Sequence, residues 1–185
     1  MKQFLLISLI SSVLIGALVL PVASQSPDTL DVLVTPEFVS VTVTGGPVDY
    51  GSVPLSMADD SRSTAVGGPI TATNTGSVEV DFRIHGSDAT SAVAGNSTWT
   101  LNCDSPNGLV GADQFVHKFG KNSTLPFDFD AAGSVLCPQS QSAKDLLLGV
   151  TPGAATDFVL QIAMPTSTTG FAQRTSQVIV VAVQQ

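Results

Sequence analysis

Few residues in this chain have the type and spacing to do chemistry. His85 and His117 are the only histidines, and each stands in an alternating apolar stretch, Val78–His85 and Phe115–Phe119. A histidine acting as general base needs a nucleophile within hydrogen-bond reach. No Gly-x-Ser-x-Gly elbow, no Gly-x-x-x-x-Gly-Lys phosphate loop and no His-Glu-x-x-His helix accompanies either one. The sequence therefore predicts no catalysis and no cofactor. Both histidines are expected as exposed strand positions or as satisfied structural residues.

The remaining candidates are ligands, cross-links and modification sites. Cys103 and Cys137 lie 34 positions apart without a Cys-x-x-Cys or His-x-x-His partner, so a disulfide is expected rather than a metal site. In the chain-entropy picture, closing such a loop contributes about 4 kcal/mol, less any native strain. Asp59-Asp60, and Asp128 and Asp130 around Phe129, offer hard oxygen ligands of the kind Ca²⁺ takes, without the full Asp-x-Asp-x-Asp-Gly spacing. Asn96-Ser97-Thr98 and Asn122-Ser123-Thr124 match the glycan acceptor pattern. Trp99, the single tryptophan, suits a core anchor and secondarily a sugar-stacking platform.

The elements that must position these residues are strands. Val39, Val41 and Val43 alternate with Ser40, Thr42 and Thr44, the period-two pattern of a half-buried strand. Comparable stretches occur at 70–74, 78–84, 99–103, 115–119, 146–150, 158–163 and 178–183. Gly-Gly-Pro, Asn-Thr-Gly, Pro-Asn-Gly and Pro-Gly clusters separate them. No stretch beyond residue 24 keeps a sustained 3.6-residue apolar stripe. The pattern predicts an antiparallel, all-β sandwich, Ig-like or jelly-roll-like, of about 8–10 strands over residues 37–185.

Ahead of that domain, Lys2 precedes an apolar run broken by Ser8, Ser11, Ser12 and Gly16, and small residues follow at 21–24. This is the layout of a secretory signal over residues 1–24 rather than a retained anchor. Residues 25–36 then form a separate extended unit. Leu30, Val32 and Val34 share one side of it, and Pro36 cannot continue a ladder into the next strand. Such a segment reads either as an edge strand of its own domain or as a strand donated to the next subunit. Seven Lys and Arg against fifteen Asp and Glu give a net charge of −8, which repels nucleic acid and anionic lipid.

Two motifs carry a resemblance. Tyr50-Gly51-Ser52-Val53, followed by the run from Gly68 through Thr73-Asn74-Thr75-Gly76 to Ile84, resembles Ig-like surface domains in which an aromatic-Gly-x-Val strand precedes a Thr-Asn-Thr-Gly hairpin. Thr98-Trp99-Thr100-Leu101 is similar to the Trp-x-Leu motif of WxL-type cell-surface domains, and the combined features are loosely similar to TasA-like extracellular fibre subunits. The resemblance implies a secreted structural or adhesive protein. Its partner would be a further copy of itself, joined head to tail by strand donation into a filament or biofilm matrix, or a cell-surface polysaccharide.

Overall fold

The computed structural model describes residues 33–60, 68–104, 110–121, 129, 133–141 and 143–185. The chain divides into Met1–Thr35 and Pro36–Gln185. The expected signal and most of the expected extended segment, Leu30 and Val32 included, lie outside the described residues, as do Asn122, Asp128 and Asp130.

Nine strands and no helix occur among the described residues. They are β1 (Val41–Thr44), β2 (Ala58–Asp60), β3 (Ile70–Asn74), β4 (Val80–Gly86), β5 (Thr100–Leu101), β6 (Gln114–Lys121), β7 (Lys144–Val150), β8 (Ala155–Ala163) and β9 (Val178–Gln184). Six form one sheet in the order β1-β3-β8-β6-β5, with β2 also on β8; three form a second sheet, β7-β4-β9. β8 organises the larger sheet. Along its length β3 takes Ala155–Phe158 and β2 takes Gln161–Ala163, while β6 pairs from Phe158 to Ala163. All the strand pairs are antiparallel except β5 with β6, which is parallel.

The alternating pattern places side chains as expected where both sheets meet. Val80, Phe82 and Ile84 of β4 are fully buried, whereas Glu79 and Arg83 face solvent. They pack with Ile70, Ala72, Phe115, Phe119, Leu136, Leu146, Val150, Phe158 and Leu160 into one apolar cluster spanning both sheets. Fully burying each such side chain is worth about 1.5–3 kcal/mol. A smaller cluster, Val110, Val116, Val135 and Ala163, covers the opposite face of β6. That strand is therefore buried from Phe115 to Gly120 on both sides. The segment 134–136 closes along β6 through Phe119 N–H to Ser134 O and Leu136 N–H to His117 O.

Two local expectations are corrected. The Asn74-Thr75-Gly76 turn is not a hairpin, because β3 and β4 belong to different sheets. Asn74 is fully buried and makes the crossing: its Nδ2 donates to the carbonyls of Val78 and Val150, and its Oδ1 accepts from Gly76 N–H. Gly76 has to be glycine here, since a Cβ would lie 2.6 Å from Phe38 O. Nor is β1 half-buried by alternation. As an outer strand it packs only Val41 on the core, and Val39 and Val43 are exposed.

Candidate functional site: the groove beside Tyr50 and His117

Between the end of β1 and the start of β9 the core is open. A groove of about 1300 Å³ runs there, lined on the sheet side by Ile70, Phe158, Leu160, Ile162 and Met164 and near β9 by Thr175, Ser176 and Val178. Residues from Val43 to Leu55 also line it. After β1 the chain turns at Gly45, which has φ +98° and sits where a Cβ would meet Pro69 O at 2.6 Å. The following stretch, Gly46–Pro54, belongs to no strand and forms a strap. Val48 and Tyr50 on this strap are half-buried against the main core. Its far end is tied down where Ser56 N–H donates to Pro165 O.

His117 is the buried polar residue on the sheet side of the groove. It lies in β6 opposite Ile162 of β8 and is only 5 % exposed. Its Nε2 lies 3.2 Å from the Tyr50 hydroxyl, and the two rings meet edge to face. Its Nδ1 is buried without a hydrogen-bond partner among the described residues. Burial pushes the imidazole down to about pH 4, so the ring is neutral at pH 7. His85, at 3 % exposure, likewise has a buried Nδ1 without a partner. The expectation of exposed or satisfied histidines is thus corrected for both. His117 is buried because β6 is covered on both faces, and His85 because the end of β4 is closed over where Gly86 N–H donates to Cys137 O; a local pattern reveals neither.

The rim is held by a polar hub. Asp113, at φ +52°, accepts the Thr168 hydroxyl at 2.8 Å, the Thr169 hydroxyl at 2.8 Å and the Thr169 N–H at 3.0 Å. These bonds, that of Thr168 foremost, hold its carboxyl at about pH 2. Trp99 donates its indole N–H to Thr168, and Arg174 lies over the indole ring. Arg174 in turn donates to the carbonyls of Ser97, Gly170 and Ala172. Trp99 is 7 % exposed and so acts as an anchor with no free face for a sugar. Phe171, between the two pinned carbonyls, projects outward at 85 % exposure.

Other sequence candidates fall elsewhere. Cys103 and Cys137 are neighbours, but the structure carries both as free thiols rather than the expected disulfide. Cys103 Sγ–H is donated instead to Gln141 Oε1 at 2.6 Å. Asp59 and Asp60 lie in β2, paired with β8, and not in a calcium loop. Among the described residues no group of His, Cys, Asp and Glu could hold a metal ion. Asn96 donates to Val93 O and packs against Gly170, which leaves no space for a Cβ there. Val34 is exposed. No helix among the described residues is long and apolar enough to cross a membrane.

No protein-family model matches this chain, and no curated protein is similar enough to count as a relative.

Proposed function

We propose that the protein is a secreted structural or adhesive subunit of an extracellular filament or matrix: an Ig-like β-sandwich that joins its neighbours by strand addition. One observation carries this reading. A six-stranded sheet shares its apolar core with a sheet of only three strands, and the groove opens between the end of β1 and the start of β9, each of which pairs with a single strand among the described residues. An apolar groove beside an unpaired strand edge is suited to an added strand. Leu30, Val32 and Val34 are the donor side chains in this reading. Supplying them from a neighbouring copy makes a heterologous contact, which propagates into a filament when the rotation does not close. Export to an oxidising compartment would also join the neighbouring Cys103 and Cys137 thiols.

Electron microscopy and sedimentation of the secreted protein test the reading. Filaments that pellet without ligand, and are lost on deleting Gln25–Thr35, are the expected result. A monomer at high concentration that pellets only with polysaccharide would favour a wall-binding module instead. The covered faces of Trp99 weigh against that alternative.

A further inference from the structure

We infer that the strap Gly46–Pro54 is a built-in occupant of the groove, displaced when an extended aliphatic strand from a second copy docks along β9. This rests on the strand-addition reading above and adds to it the acceptor edge and the segment that must leave.

The strap resembles an inserted strand in what it buries and differs in how it is held. Val48 and Tyr50, two positions apart, press on the main core as alternate residues of a strand would. None of Pro47–Val53 is paired into either sheet. About 1300 Å³ of groove remains around it, whereas a filled protein interior leaves few voids larger than a water molecule. The polar contact it makes with His117, from the Tyr50 hydroxyl to Nε2 at 3.2 Å, is longer than an ordinary hydroxyl hydrogen bond. The same imidazole keeps a buried Nδ1 without a partner among the described residues, a deficit that a polar side chain or main-chain group of an incoming strand would remove. The occupant in place therefore fills the site incompletely.

The edges and ends fit displacement. Among the described residues β9 pairs only with β4, so its other edge carries no ladder, and its first residue, Val178, lines the groove. Adding one strand there would bring the three-stranded sheet to four. Both ends of the strap are fixed independently of its middle: Thr44 pairs with Thr71, and Ser56 N–H donates to Pro165 O. The middle can swing out while the sheets stay intact. The occupant it yields to has aliphatic residues at every second position, the spacing of Leu30, Val32 and Val34.

Tyr50 and Trp99 are the chain's single tyrosine and single tryptophan, so each reports directly on the groove. The full-length protein, kept dilute, is titrated with a labelled peptide copying Asp28–Thr35 while nitration of Tyr50 is followed by mass spectrometry. Bound peptide should speed Tyr50 nitration severalfold. Tyr50→Phe should tighten peptide binding roughly fivefold, the worth of one ordinary hydrogen bond. Val48→Ala, which loosens the strap without touching His117, should also tighten it. Peptide that binds with Tyr50 still protected, and equally well to both variants, overturns the strap inference while leaving strand addition standing. Absence of both peptide binding and filaments at every concentration removes the strand-addition reading, and this inference with it.

Discussion

Arg174 lies over Trp99, with its guanidinium carbon 4.2 Å from the ring centroid, and the same guanidinium is bonded to three backbone carbonyls of the loops on either side. One side chain thus fixes both the rim of the groove and the indole that lines it. Arg174→Ala should lower the unfolding free energy by about 1–2 kcal/mol, since it removes a cation–π contact and a set of charge-assisted bonds. Arg174→Lys should recover little of this, because an ammonium cannot reproduce the planar fork. Urea denaturation of the three proteins measures it.

Asp113 makes the rim sensitive to acid. Its folded-state carboxyl titrates at about pH 2, below the ordinary 3.8, because it accepts bonds from Thr168 and Thr169. A depressed carboxylate adds stability that is complete above its ordinary value and fades as pH falls from about 4 towards 2. The 167–170 loop should loosen in that interval, seen as a change in Trp99 fluorescence. Asp113→Asn should show the looser signal already at neutral pH.

His117 acts at higher pH and with the opposite chemistry. Burial depresses this base from 6.5 to about 4, so between those values the unfolded chain holds a proton that the folded chain does not. Stability should therefore rise with pH from about 4 to 6.5 and level off above, by on the order of 3 kcal/mol in all. His117→Leu should flatten this interval in melting curves taken across pH 4–7.

Asn74→Ala should cost about 2–4 kcal/mol in denaturant melts. It strands the Val78 and Val150 carbonyls, and it also releases the Gly76 N–H at the corner between the sheets.

The two thiols should react unequally. Burial, and then the neighbouring Cys103 thiol, push Cys137 up to about pH 11, whereas Cys103 is half-exposed. Iodoacetamide at pH 8 should label Cys103 well before Cys137 in reduced native protein, and both equally once the chain is unfolded. Peptide mapping distinguishes the two.

Strand content was legible in the sequence because it depends on local alternation. Val80, Phe82 and Ile84 declare a buried face by period alone, and Ile70–Asn74 matches β3 residue for residue. What stayed hidden depends on partners distant in the chain. Ala58–Asp60 has no alternation to mark it and becomes a strand only because β8 offers it an edge. The acidic pair there looks like a loop until Ile162 and Gln161 lie opposite. Asn74 looks like a hairpin residue because a turn motif specifies a reversal and not the sheet in which the chain re-emerges. The groove itself was invisible, since it is an absence between β1 and β9, although Trp99, and likewise Tyr50 and His117, stand out in the sequence for other reasons. Neither one's spacing indicates that they meet, 67 positions apart.

The role of β8 and β9 bears on when the protein can fold as well as on how. β3 pairs with residues some eighty positions later, and β4 with residues about a hundred positions later. Neither sheet can be completed until Ala155–Gln184 has been synthesised. Contacts this distant in sequence make for slow closure, because the loop entropy must be overcome before the ladder forms. The nascent chain therefore stays open through most of its synthesis, and the apolar faces of β3 and β4 wait unpaired until the last thirty or so residues arrive.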